Sequence, residues 1–511
     1  MEPNVPEAAA QSGGEGRGAC SSAWRFEMAS RAHVVIDAAA YFSLMQEAML
    51  RARQRILLIG WDFDTRVRLG PGRRWWNRPS RKRHPARLGP FVVWLANRNR
   101  VLQIRVLKWN FGALKFVFRG TMVFDLIRWF FHSSIDFKFD SAHPLGCSHH
   151  QKIAVIDDNF AVCGGIDMTT ERWDTPDHRE HDPRRFKPGL VKPSHRTYGP
   201  WHDITMLLEG DVARALGTLG RDRWQRAGGS PLEPCVPQHT SAWPPALKAE
   251  FRDVEIGIAR TSAGWNGYPE VREVEELFAE HIAGARQFIY AETQYFASRR
   301  VAEALAMCLS RPDPPEVILV NALTADGWLA QAAMDIARVR LLHAINDKDP
   351  QCRLRVFVPY TGAKPIYVHS KLMIVDDEIL RVGSANMNNR SMGLDTEADV
   401  FIDARRPAND RPEVRETITA LRHRLLAEHC GIEASAVRAL LAEHGSMAAM
   451  IESRPRTSKR LEPFRLRPLN DTEKAVADSA LLDPERSSDL FEPMSRRTGL
   501  FRRGGFLLRP R

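Results

Sequence analysis

Apolar residues recur at helical spacing over residues 40–55, and the chain then runs into the strand-like Ile56-Leu57-Leu58-Ile59. The same order returns later, where Val274 to Arg286 reads as a helix leading into Phe288-Ile289-Tyr290-Ala291. Helices alternating with short apolar strands predict an α/β fold, with helices packed in layers on mixed sheets. The globular pattern begins near His33-Val34-Val35-Ile36, and residues 1–30, rich in Gly, Ser, Ala and Glu, read as a flexible N-terminal arm. Residues 431–452 read as one further helix. The remainder to residue 511 is poor in long apolar runs and closes on Arg496, Arg497, Arg502, Arg503, Arg509 and Arg511. Residues 431–511 are therefore expected to be a C-terminal helix and a basic, partly disordered tail.

The helix–strand pattern is written twice. At a shift of 233, Glu47 falls on Glu280, Ala52-Arg53-Gln54 on Ala285-Arg286-Gln287, Ile56 on Ile289 and Phe63 on Phe296. At a shift of 219, Ile135 to Phe139 falls on Leu354 to Val358, and His150, Lys152 and Asp157 fall on His369, Lys371 and Asp376. Gly164 and Asp167 then fall on Gly383 and Asn386. The chain is an internal duplication. Its halves are placed at 31–245 and 246–430, with Ser241 to Pro245 as the connector.

Composition narrows the class. A chain of 511 residues, 44% hydrophobic and 26% charged, can build two or three domains with real cores, which excludes disorder of the whole. Seven scattered cysteines without CxxC spacing argue against a zinc ribbon or a disulfide scaffold. With no signal-like start and no membrane-spanning run, a cytoplasmic protein, peripheral at a membrane surface, is expected. The formal charge of +11 suits an anionic partner.

The chemistry lies in the two repeated motifs, His150-x-Lys152-x4-Asp157 and His369-x-Lys371-x4-Asp376. A single histidine on an apolar strand is ordinarily a satisfied core residue. A lysine is rarely buried without a partner, and here two histidine–lysine pairs recur in register. Residues two apart on a strand share a side, so each His and Lys can face one ligand. The aspartates fall on the opposite face and are expected to anchor structure through hydrogen bonds. Two histidines meeting across a pseudo-twofold interface can divide a phosphoryl transfer, one as nucleophile and one as general acid. Two lysines would steady the phosphate oxygens, with no cofactor and no metal required.

These motifs resemble the phospholipase D superfamily, over roughly residues 31–485. Flanking runs are similar to eukaryotic-type phospholipase D and its bacterial relatives: Gly164-Gly165-Ile166-Asp167, Arg172-Trp173-Asp174-Thr175, Trp201-His202-Asp203, Tyr290 to Phe296, Gly383-Ser384-Ala385-Asn386 and Asn388-Asn389-Arg390-Ser391. The resemblance implies two tandem α-β-α halves with the active site at their interface. It implies a phosphohistidine on His150 and a general acid, then base, at His369. It further implies a carboxylate supplied by the other half to each histidine, Glu397 for His150 and Asp203 for His369. Asp167 stands where the second half has Asn386; an ionised Asp either pairs with a cation such as Lys152 or turns from the phosphate.

The activity so implied is hydrolysis of the distal phosphodiester bond of a glycerophospholipid to phosphatidic acid and a headgroup alcohol, with transphosphatidylation. No obligate protein partner is expected and no calcium-dependent lipid-binding module is evident. Cardiolipin synthase-type transfer, a nucleic-acid phosphodiesterase and an inactive scaffold are the alternatives; Arg172-Trp173-Asp174-Thr175 and Trp201-His202-Asp203 favour lipid over nucleic acid. Two stretches could meet a membrane: residues 66–87, with nine basic residues, no acid and Trp75-Trp76, and residues 111–131, which mix aromatics with Lys115, Arg119 and Arg128.

Overall fold

The computed structural model describes residues 22–70, 84–109, 120, 122–187, 196–238, 240–324 and 328–468. Most of the N-terminal arm, Trp75-Trp76, the segment 110–119 and the tail beyond residue 468 lie outside the described residues.

In the first half the strands lie side by side in the order Ile135–Asp140, Gln103–Trp109, Arg55–Gly60, Ile153–Ile156, Phe160–Gly164, Ile204–Gly210 and Arg25–Ile36. The second half repeats this order with Leu354–Thr361, Glu316–Asn321, Phe288–Thr293, Leu372–Val375, Ile379–Gly383, Glu397–Asp403 and Phe251–Ser262. In each half the first three strands pair in parallel and the others antiparallel. Arg25–Ile36 also pairs antiparallel with Phe251–Ser262, so the halves share one continuous mixed sheet with pseudo-twofold order.

Helices close both faces. Ala38–Arg51 and Leu88–Arg98 bury Phe42, Met45, Phe91 and Val92 on one face of the first half. Glu273–Gly284 and Arg299–Leu309 do the same in the second with Leu277, Phe278, Val301 and Leu305. The other face, continuous through both halves, lies under Asp211–Arg226 and Pro412–Cys430. Covering on both faces explains why Arg55–Gly60 is buried at every residue and reads as an apolar run rather than an alternation. Each large apolar side chain so buried contributes about 1.5–3 kcal/mol.

Two boundaries differ from the pattern-based reading. The first strand begins at Arg25, inside the segment read as an arm; a bulge between Ala29 and Arg31 breaks its alternation. The single helix expected over 431–452 is two, Ala434–His444 and Met447–Glu452, parted at Gly445, whose φ of 71° is left-handed. Beyond them Lys459–Pro463 pairs with the edge strand Leu354–Thr361. Edge strands remain half solvated, so this one carries no apolar run to mark it. The described cysteines are all unbonded, and no helix among the described residues is long and apolar enough to cross a membrane.

Candidate active site

Each motif is strapped to the opposite half before its strand begins. His149 bridges to Thr396, and the His150 amide donates to the Thr396 carbonyl at 3.0 Å, just ahead of strand Glu397–Asp403. Symmetrically, Tyr367–Val368 pairs with Trp201–His202, and the His369 amide donates to the His202 carbonyl at 2.8 Å. Backbone pairing thus sets each imidazole against a carboxylate from the other half. His150 Nδ1 lies 2.9 Å from each oxygen of Glu397, and His369 Nδ1 lies 2.7 Å from Asp203 Oδ2. A ring that donates from Nδ1 keeps a lone pair on Nε2.

Each lysine turns back onto the backbone of its own histidine. Lys152 Nζ donates to the His150 carbonyl at 3.0 Å and lies 3.2 Å from Asp167 Oδ2. Asp167 also accepts from the amides of Trp61 and Asp62, at 3.1 and 3.4 Å, so it faces a cation and a loop. Lys371 Nζ donates to the His369 carbonyl and, at 3.2 Å, to Gln294 Oε1. Asn386, the counterpart of Asp167, is buried with a side-chain oxygen that accepts no hydrogen bond.

Burial dominates the electrostatics. It holds His150 well below the usual imidazole range, and the charges of Lys152 and Lys371 push the same way. His369 is likewise held well down by burial and then by Lys371 and Arg172. Burial raises Glu397 to about 8 against the opposing hydrogen bonds of Ser384 and Ser391. It raises Asp203 against the charge of Lys371. Lys371 falls to about 7, again through burial, with Asp203 opposing. Without a bound anion, each imidazole resists a second proton.

The motif aspartates lie elsewhere. Asp157 accepts from the amides of Arg53, Gln54 and Arg55 at 2.7–2.8 Å, and Asp376 from those of Arg286, Gln287 and Phe288 at 2.8 Å. Asp157-Asp158 and Asp376-Asp377 form hairpin turns with all four φ values between 52° and 54°, a left-handed conformation that Asp tolerates. Each aspartate therefore ties a motif hairpin to the start of the neighbouring strand.

Several neighbours drew no individual role from the sequence. Ser384 Oγ and Ser391 Oγ donate to Glu397 at 2.5 and 2.7 Å. The Trp201 ring stacks at 4.5 Å on Tyr367 and lies 5.2 Å from the His369 ring, while the Arg172 guanidinium sits 4.1 Å above it. Gln294 reaches Lys371 from the run Tyr290 to Phe296. All but Tyr367 lie in runs that the sequence marks, so only the contacts were hidden.

A family profile described as Phospholipase D matches residues 129–245 and 358–477. One described as Cardiolipin synthase, PLD-like domain matches residues 278–416. Phospholipase D alpha 1 of Nicotiana tabacum is 26% identical over 407 residues, covering 56% of this chain and 49% of that protein. The protein of the same name from Arabidopsis thaliana is 24% identical over 405 residues, with the same two shares, 56% and 49%. The chain spans about half the length of the curated relatives it matches. Among solved structures, phosphatidylserine synthase of Haemophilus influenzae Rd KW20 aligns with a TM-score of 0.47 at 12% identity, covering 84% of this chain and 96% of that one.

Proposed function

The chain belongs to the phospholipase D superfamily, and from that premise we propose that it transfers phosphatidyl groups by double displacement at His150. The observation that carries this reading is the pair of imidazoles, each with Nδ1 on a buried carboxylate of the opposite half and a lysine two residues on. His150 Nε2 attacks the phosphorus of a glycerophospholipid, forming a P–N bond as the bond to the headgroup oxygen breaks. His369 Nε2–H gives its proton to that oxygen, and the headgroup leaves as an alcohol. His369, now neutral, takes a proton from water, whose oxygen attacks phosphorus and releases His150 and phosphatidic acid. A primary alcohol in place of water gives a phosphatidyl alcohol. Lys152, Lys371 and the Asn386 amide hold the phosphoryl oxygens, and the substrate anion raises His369 into its protonated form.

Asp157 and Asp376 act as anchors in this scheme, and Asp167 as the partner of Lys152. A membrane contact fits the helix Met122–Phe130, whose Phe124, Ile127 and Phe130, with Phe131, are exposed beside Arg128. The profile for cardiolipin synthase over residues 278–416 favours a second reading, in which phosphatidylglycerol is the acceptor.

The test uses mixed phospholipid vesicles with a primary alcohol present, comparing wild type with His150→Ala. Phosphatidic acid and phosphatidyl alcohol should both form and both vanish in the variant. Cardiolipin from phosphatidylglycerol alone would select the second reading. Cleavage of a nucleic-acid phosphodiester without lipid turnover would defeat both.

A further inference from the structure

Behind Asp203 lies a second cluster of histidines and carboxylates that the phosphoryl-transfer scheme does not use. Asp37, His178, His202 and Glu428 each bring one ligand atom to a common point, all within 4.8 Å of one another. Asp37, His178 and His202 come from the first half and Glu428 from helix Pro412–Cys430 of the second. Being 37, 178, 202 and 428 in the chain, they form no spaced motif, and the sequence led us to expect no metal cluster.

We propose that these four side chains form a structural site for one divalent transition-metal ion of the zinc class, which ties the two halves together behind Asp203. The inference does not rest on the proposed function.

The spacing brings four donor atoms close enough to share one ion. Glu428 Oε1 is 2.9 Å from both His178 Nε2 and His202 Nδ1. Asp37 Oδ2 is 3.4 Å from His178 Nε2, and Asp37 Oδ1 is 3.5 Å from His202 Nδ1. A zinc tetrahedron with bonds of about 2.0–2.1 Å has ligand–ligand edges of about 3.3–3.4 Å. Two atoms of the set are left without a hydrogen bond: Asp37 Oδ2 and His202 Nδ1, both on fully buried residues. For His202 Nδ1 this holds although Glu428 Oε1 is close; Glu428 Oε1 is in hydrogen-bond contact with His178 Nε2 at 2.9 Å, a contact that a bound ion would replace. An orphaned carboxylate oxygen and ring nitrogen, side by side in the core, are costly unless something binds them.

The outer contacts match those of metal-bound imidazoles. His178 Nδ1 is 3.0 Å from Asp174 Oδ2, and His202 Nε2 is 2.8 Å from Glu292 Oε2. Donation to these outer carboxylates leaves the lone pairs on His178 Nε2 and His202 Nδ1, the two nitrogens that converge. The outer carboxylates are themselves held, Asp174 by Arg185 Nη1 at 3.0 Å and Glu292 by Ser370 Oγ at 2.7 Å and Tyr290 Oη at 2.6 Å. Charge agrees, since two carboxylates and two neutral imidazoles balance one divalent cation. An ion there would also brace the reaction centre, because the Asp37 amide donates to the Asp203 carbonyl at 2.8 Å and the Asp203 amide to Asp37 Oδ1 at 3.2 Å.

The rival is a metal-free network in which both imidazoles are protonated. Elemental analysis of the purified full-length protein separates the two. Wild type from zinc-supplemented cells should keep about one equivalent of zinc through dialysis. A strong chelator should remove it and lower Tm, and added Zn²⁺ should restore both. Co²⁺ loading should give the intense visible bands of a tetrahedral site. Asp37→Asn and His178→Ala should lose the retained metal, the former as the near-isosteric variant if the latter does not fold. Wild type that holds no zinc, takes up no Co²⁺ and shows no chelator-sensitive Tm overturns the proposal. Retention in Asp37→Asn equal to wild type also overturns it, marking the ion as adventitious.

Discussion

His150 and His369 occupy equivalent places in the duplicated sheet, yet their carboxylates are seated differently. Glu397 is gripped by two hydroxyls, Ser384 and Ser391. Asp203 is shorter, accepts from the Ile204 amide at 2.9 Å, and has Gly165 where the second half has Ser384. A Cβ built on Gly165 would lie 2.2 Å from Asp203 Oδ1, so the first half must have glycine there. The His369 ring also lies against the Trp201–Tyr367 stack, and its side chain is 7% exposed against 15% for His150. One imidazole is aimed by hydroxyl-fixed hydrogen bonds and stands more open. The other is packed, as would suit the proton-passing role proposed for it.

The largest effects should separate the histidines by chemistry. His150→Ala is expected to lose roughly 10⁴-fold or more of turnover on any lipid, because no covalent intermediate can form. His369→Ala should lose as much on natural headgroups. With a nitrophenol headgroup, which departs without a proton, it should release a burst of about one equivalent and then stall. A burst from His150→Ala and none from His369→Ala would reverse the assignment.

The seats themselves can be exchanged. Gly165→Ser forces a side chain onto Asp203 and should cost roughly 10²–10³-fold in kcat, with the fold retained by circular dichroism. Ser384→Ala removes one of the two hydroxyl donors from Glu397, a loss of about 1–3 kcal/mol, or roughly 5–150-fold in kcat. Equal effects would mean that the asymmetry of the seats has no catalytic weight.

How far these features can be read before folding depends on whether they repeat. The two His-x-Lys pairs stand out because duplication places them in register, whereas Glu397 and Asp203 do not repeat at the motif shift of 219 and are marked by the family resemblance. Gly165 opposite Ser384 is visible in the same alignment, but its meaning, a carboxylate against the backbone, needs the third dimension. The Asp37–His178–His202–Glu428 cluster has no register, since its members arrive from four separate elements. Strand Lys459–Pro463 went unread because an edge strand keeps polar residues on both faces. The bulge at Ala29/Arg31 concealed the central strand in the same way, by breaking the period on which the reading relies.

The lysines sharpen the comparison through pH. Lys371, held at about 7 by burial, is charged below that value and neutral above it. If its charge steadies the phosphoryl oxygens, kcat/KM falls as pH rises through about 7. His150 is held well down by burial, so the acid limb should lie below the ordinary histidine range. Bound phosphodiester favours charged Lys371, and the alkaline limb of kcat should therefore lie above that of kcat/KM. Lys371→Arg stays charged and should move the kcat/KM limb upward; a limb that stays put belongs to His369 instead.

The smallest effect on rate, and a clear one on stability, is expected at the motif aspartates. Asp157 and Asp376 each accept three backbone amides at the edge of a hairpin, in turns that already require left-handed φ. Asn tolerates that conformation and keeps one acceptor oxygen, but its amide nitrogen must face an N–H where a carboxylate oxygen had accepted one. Asp157→Asn and Asp376→Asn should each lower unfolding free energy in urea by about 1–3 kcal/mol. At a temperature where the fold holds, kcat should stay within roughly threefold of wild type, since neither residue touches an imidazole. The duplication makes this a matched pair: similar losses from both would show that the motif's aspartate is a structural strap in each half. A large fall in kcat from one alone would show that its hairpin, and not the carboxylate seat, sets the aim of that half's histidine.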